Sequence, residues 1–319
     1  MIQLPEILTL YILNGIVLSF AFIAFILSIQ IVLKWDFNAT TALQYTLEKK
    51  SYLGSTIIKY MFYIKIPLFL FYIFTLDKIS FILPGAMCGA GVVNSSDYAT
   101  ILLFLKVINL YLFAYWIVID KQDMMDEVQK NLKKKFMIYI ALFMLLVLEL
   151  VLEGVMFSAI DLKSVVDCCG AIFSTNDDTY LSMALNLPHN LLVSLFYLNF
   201  ILMFVVSLKK INSLFAVLNL LFIVIALLSL VSFFGTYIYE LPTHHCPFCL
   251  LQHEYHYIGY FLYTFLFIGT FNGLVVGFVL FTDNELKSRY KLSLIFNFIY
   301  LVLVSYYPIS YYTKNGVWM

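Results

Sequence analysis

Charge is scarce in this sequence. Only 12% of its 319 residues are charged, against about 25% in soluble domains. Lys and Arg total 19, Asp and Glu total 19, and Arg289 is the sole arginine. The formal net charge is zero, and no basic block stands out, so nucleic acid is not an expected partner. No connecting segment reaches the roughly 50 residues of a small domain, which excludes an inserted soluble module. Cysteine is absent from every long apolar run.

Apolar residues are what the sequence has in excess: 63% are hydrophobic and 18% aromatic. A soluble core of this size could not hide that surface, and a disordered chain would not carry it. The surplus must face lipid. A spanning helix needs about 20 mostly apolar residues. Eight runs qualify, at 8–33, 57–76, 99–119, 136–160, 189–208, 214–239, 257–281 and 292–312. The first has Glu6 but no Lys or Arg ahead of it and is too long for a signal peptide. The expected fold is all-α: one polytopic bundle of eight transmembrane helices over residues 1–319, with the lipid bilayer as its surroundings.

The basic residues alternate between sides. One set of loops and helix ends holds 14: Lys34, Lys49, Lys50, Lys59, Lys121, Lys130, Lys133, Lys134, Lys135, Lys209, Lys210, Lys287, Arg289 and Lys291. The opposite set holds Lys78, Lys163 and Lys314. Cytoplasmic loops retain the positive excess, which puts both termini outside. The lysine, isoleucine and asparagine bias is that of an AT-rich prokaryotic gene, so the expected location is a bacterial inner membrane.

All five cysteines then fall in outer loops: Cys88 in 77–98, Cys168 and Cys169 in 161–188, Cys246 and Cys249 in 240–256. The outer, periplasmic face is oxidising, so disulfides, redox groups and metal ligands are the expected roles. Four of the five histidines, His244, His245, His253 and His256, flank the last pair. The stretch reads His244-His245-Cys246-Pro247-Phe248-Cys249. A Cys-x-x-Cys pair closes a small ring whose redox balance is tunable. Pro247 suits the first position of the seventh span. Cys246 would then sit near its N-cap, where the helix dipole favours a thiolate. Cys246 is the expected attacking thiol and Cys249 the resolving one.

Cys246-Pro247-Phe248-Cys249 resembles the active-site tetrad of glutaredoxins. Its place at the outer mouth of a spanning helix is similar to that in membrane disulfide-forming enzymes of the DsbB and vitamin K epoxide reductase type. The resemblance rests on motif placement, and those enzymes use a four- or five-helix core. It implies a second outer cysteine pair, here Cys88 with Cys168 or Cys169. It also implies a periplasmic thioredoxin-like partner and electron transfer to quinone.

The same residues read equally as a metal site. Two thiols and the imidazoles of His244, His245, His253 and His256 could supply four ligands to zinc or a softer site for copper. Met87 beside Cys88 adds a thioether.

Four charges lie inside the spans: Lys65, Lys106, Glu149 and Glu153. At about 1.5 Å per residue, Lys65 and Glu149 lie about 18 and 16 Å from the outer ends of their helices. Lys106 and Glu153 each lie about 10 Å deep. Matched depth pairs Lys65 with Glu149 and Lys106 with Glu153. They either lock helix packing as ion pairs or form a polar path that seats a quinone head group or carries protons.

Overall fold

The computed structural model describes residues 4–36, 39, 41–126, 129, 131–161, 165–166, 188–279 and 281–319. Eight helices among them are long and apolar enough to cross a membrane: α1 (Pro5–Lys34), α2 (Ala42–Ser80), α3 (Asp97–Met125), α4 (Leu132–Ala159), α5 (His189–Lys209), α6 (Asn212–Tyr239), α7 (Ile258–Phe278) and α8 (Asp283–Asn315). No strand occurs among the described residues. The chain is an all-α, multi-pass membrane protein.

The helices are longer than the apolar runs. Residues 42–56 continue α2, although Glu48, Lys49 and Lys50 make them polar. Hydropathy marks only the lipid-crossing stretch, whereas the helix starts where the Thr41 side chain accepts from Gln44 N. Ser96 caps α3 in the same way through Tyr98 N. Pro67 lies inside α2 without ending it. In α1 the buried residues recur every three or four positions as Leu10, Asn14, Val17, Ala21, Ala24, Ser28 and Ile31. Leu8, Ile12, Ile16, Phe20 and Ile23 are exposed. Asn14, Ala21, Ala24 and Ser28 thus turn inward together with Leu10, Val17 and Ile31, and the outward face is dominated by large apolar side chains, as a lipid-facing helix requires.

Where the sequence reads as one membrane domain, the contacts divide the chain into two compact units. The first comprises Met1–Pro84 and Val92–Ser164 and contains α1–α4; the second comprises Gly85–Gly91 and Val165–Met319 and contains α5–α8. In the first, α1 packs on α2 and α4, and α3 packs on α2 and α4, closing a four-helix ring. Phe62 stacks on Phe113 at 4.4 Å and meets Trp116 edge-on. Tyr139 donates to Ala21 O at 2.8 Å.

In the second unit, α7 packs on α6 and α8. Gly269, Gly273 and Gly277 stand four residues apart on α7, one helix face. A Cβ at Gly273 would overlap the Asn219 amide of α6, and one at Gly269 would overlap Asn297 of α8. Asn219 Oδ1 accepts from Ser293 Oγ at 3.1 Å and Asn297 Nδ2 at 3.2 Å. The glycines let the backbones come close enough for buried amides to pair away from water.

Gly273→Val should therefore overpack this seam and cost about 1–3 kcal/mol or more. Gly15 has nothing within 4 Å of an added Cβ, so Gly15→Ala should be neutral or slightly stabilising. Thermal unfolding of both variants in detergent, against the parent, checks the contrast.

Candidate functional site: a buried three-cysteine cluster

Cys88, Cys246 and Cys249 meet within the second unit. Their three Sγ atoms all lie within 4.8 Å of one another, and Cys88 Sγ and Cys246 Sγ are 3.5 Å apart. No two of the three are joined by a disulfide. All are buried: Cys88 is 0% exposed, Cys246 1% and Cys249 4%. Ala90, Leu230, Phe234, Tyr239 and Leu250 belong to the same apolar cluster.

Local structure places each thiol. Gly85 adopts φ +84, and a Cβ there would collide with Val166 O, so the turn leading to Cys88 requires glycine. The Cys246–Cys249 segment is not the start of the seventh span, as its proline suggested. It forms a turn running into short 3-10 segments, Cys249–Leu251 and His253–Tyr255, and α7 begins only at Ile258. The N-terminus of α7 is therefore not at Cys246. The segment is held by side chains instead. Tyr239 donates its hydroxyl proton to Cys246 O, and Tyr263 donates to Pro247 O at 2.8 Å. Gln252 Nε2 donates to Met87 O at 2.8 Å, tying the two cysteine-bearing segments together. Gly259 lets the start of α7 lie against the Leu250 backbone, which a Cβ would approach to 2.9 Å.

A π-helical turn, Leu230–Phe234, interrupts α6 beside the motif. There Gly235 N bonds to Leu230 O, five residues back, rather than to Val231 O. Val231 O lies 3.0 Å from His245 Nδ1. A carbonyl only accepts, so Nδ1 carries the proton and anchors the ring. His189 Nδ1 lies 3.1 Å from Ser232 Oγ of the same turn.

The expected metal-ligating imidazoles are not in the cluster. Among the described residues, the group close enough to hold an ion is Cys88, Cys246 and Cys249 alone. His244 packs edge-on against Tyr239 at 4.4 Å, and His245 is committed to Val231 O. His253 and His256 are exposed, and His256 takes a left-handed conformation at the end of the 3-10 segment His253–Tyr255. Met87 is 77% exposed. Cys168 and Cys169 lie outside the described residues. Burial, with Cys249 and Glu254 nearby, pushes the Tyr255 hydroxyl above its usual range.

The four intramembrane charges lie together in the first unit. Lys65 Nζ is 2.9 Å from Glu149 Oε1, and Lys106 Nζ is 2.6 Å from Glu153 Oε2, the two pairs that matched depth indicates. Lys106 also reaches Glu149 Oε1 at 2.8 Å. Two asparagines that the sequence did not single out complete the network. Asn14 accepts from Lys65 at 2.9 Å and donates to Glu153 at 2.8 Å, and Asn109 donates to Glu149 at 2.6 Å. Two cations balance two anions, each hydrogen-bonded, which is what burial of charge requires. The adjoining cavity is about 10 Å³, the size of one water rather than of a quinone ring.

No protein-family model matches the chain, and neither a curated protein nor a solved structure is detectably similar to it.

Lys106→Met should strand Glu153 and overload Lys65, costing about 3–5 kcal/mol. Adding Glu153→Gln restores neutrality and should recover much of that loss. Chemical or thermal unfolding of the single and double variants in detergent measures the recovery.

Proposed function

We propose that this protein carries out thiol–disulfide exchange at a membrane surface, with Cys246 as the shared partner of Cys88 and Cys249. The mutual approach of the three sulfurs within 4.8 Å carries this reading. Starting from a Cys246–Cys249 disulfide, the Cys88 thiolate attacks Cys246 Sγ. The Cys88–Cys246 bond forms, the Cys246–Cys249 bond breaks, and Cys249 leaves as a thiolate that takes up a proton. This step moves a disulfide without net oxidation. Net turnover needs an electron donor and an electron acceptor: a dithiol on a periplasmic thioredoxin-like protein gives two electrons and leaves as its disulfide, and a quinone takes them and leaves as quinol.

The oxidising outer face of a bacterial inner membrane fits this chemistry, and the lysine distribution supports that orientation. Cys168 and Cys169 remain candidates for a further link in the relay. Burial of the three described thiols favours exchange among themselves, with a protein partner reaching Cys246 after local opening.

A second reading draws on the same burial. Three clustered thiols, deprotonated, form a soft donor set suited to copper(I) or zinc. In this case the metal is held by Cys88, Cys246 and Cys249 and not by the neighbouring imidazoles.

Free thiols should be counted by mass tagging on acid-quenched protein, with and without reductant and with and without chelator. Exchange predicts reductant-sensitive bridging of Cys246, abolished by Cys246→Ser. Thiols that are all reduced, and that react only after chelation, would overturn the exchange reading and support metal binding.

A further inference from the structure

The first unit contains a second feature unrelated to the cysteines: an open pocket of about 430 Å³ between the end of α1, the polar start of α2 and the α3–α4 end. This volume lies within the range of small-molecule sites. Its walls include Trp35, Glu48, Ser51, Tyr52, Ser55 and Lys135.

Its floor includes two serine hydroxyl oxygens, each with lone pairs able to accept. Ser55 is 1% exposed and its hydroxyl has no hydrogen-bond partner. Leaving such a group dry and unpaired is costly. Ser51 Oγ donates its own proton to Glu48 O at 2.8 Å, so only its lone pairs face outward. The buried cation among the described lining residues is already paired. Lys135 Nζ lies 2.9 Å from Asp120 Oδ1 and 2.7 Å from Asp123 Oδ2. This triad is almost wholly buried and carries one negative charge in excess. Glu48 adds another at the exposed rim. Two lysines of α2 near the rim are engaged elsewhere: Lys50 donates to Gln30 at 2.8 Å, and Lys49 sits over the Tyr45 ring. Trp35 and Tyr52 supply aromatic surface, which attracts cations.

We propose that this pocket binds a small organic ammonium ion, a primary alkylamine or linear polyamine. Its N–H groups would meet Ser55 Oγ, Ser51 Oγ and the Glu48 carboxylate, and its methylenes would lie along Trp35 and Tyr52. The excess negative charge behind Lys135 selects against an anion.

The test is isothermal titration calorimetry of the full chain in phosphatidylcholine nanodiscs, with spermidine and n-butylamine as probes, glutamate as anionic control and empty nanodiscs as blank. At least one amine should bind saturably, and glutamate should not bind. Glu48→Gln, at the exposed rim, should weaken amine binding at least about tenfold. Ser55→Ala should also weaken it while leaving the unliganded melting temperature unchanged or raised, because the hydroxyl it removes has no partner. Absence of saturable amine binding, amine binding indifferent to Glu48→Gln, or glutamate binding as tightly as the amines would each overturn the proposal.

Discussion

A charged or amide group placed inside the lipid-crossing part of this protein is costly unless it finds a partner there. Water is not there to supply one in the hydrocarbon phase, and an unpaired group costs several kcal/mol. This constraint explains features that look unrelated. In the first unit it gathers Lys65, Lys106, Glu149 and Glu153 with Asn14 and Asn109 into one neutral, mutually bonded network. In the second it sets Asn219 against Ser293 and Asn297, with the glycines of α7 making the approach possible. It also holds the backbone of the cysteine motif, whose carbonyls at Cys246 and Pro247 each receive a tyrosine hydroxyl.

The thiol cluster follows from these supports. The Cys-x-x-Cys segment lies outside any long helix and has no ladder of backbone bonds to position it. Tyr239, Tyr263 and Gln252 replace that ladder. The π turn of α6 provides a carbonyl for His245 and a hydroxyl for His189. The sulfurs are left buried and close to one another. The imidazoles serve as posts and surface groups around the cluster.

Much of the fold was legible because lipid imposes a crude and strong signal. All eight spans could be read from hydropathy, although the polar beginnings of α2 and α8 could not, since helix and lipid-crossing stretch are different things. The Lys65–Glu149 and Lys106–Glu153 pairs followed from depth alone. Asn14 and Asn109 gave no such signal, because a single amide in an apolar run has no charge to balance. The four-residue spacing of Gly269, Gly273 and Gly277 was not read as a signal, and its role emerges only once Asn219 and Asn297 stand against them. For the site, proximity of Cys246 to Cys249 was built into their spacing. The presence of Cys88 beside Cys246 depends on chain segments 158 residues apart, and no periodicity encodes it. The expected N-cap role of Cys246 failed because Pro247 begins a turn and not α7. The expected imidazole ligands failed because neighbours in sequence were directed to Tyr239, Val231 O or solvent.

The approach of Cys88 to Cys246 is the point on which the functional reading stands. Its most direct measurement is peptide mapping of the full chain, mildly oxidised in membranes, alkylated and digested without reductant. A three-thiol cluster predicts a reductant-sensitive species joining the Cys88 peptide to the peptide holding Cys246 and Cys249. Recovery of Cys88 only in bridges to Cys168 or Cys169, or only as alkylated thiol while Cys246 and Cys249 bridge each other, would contradict it.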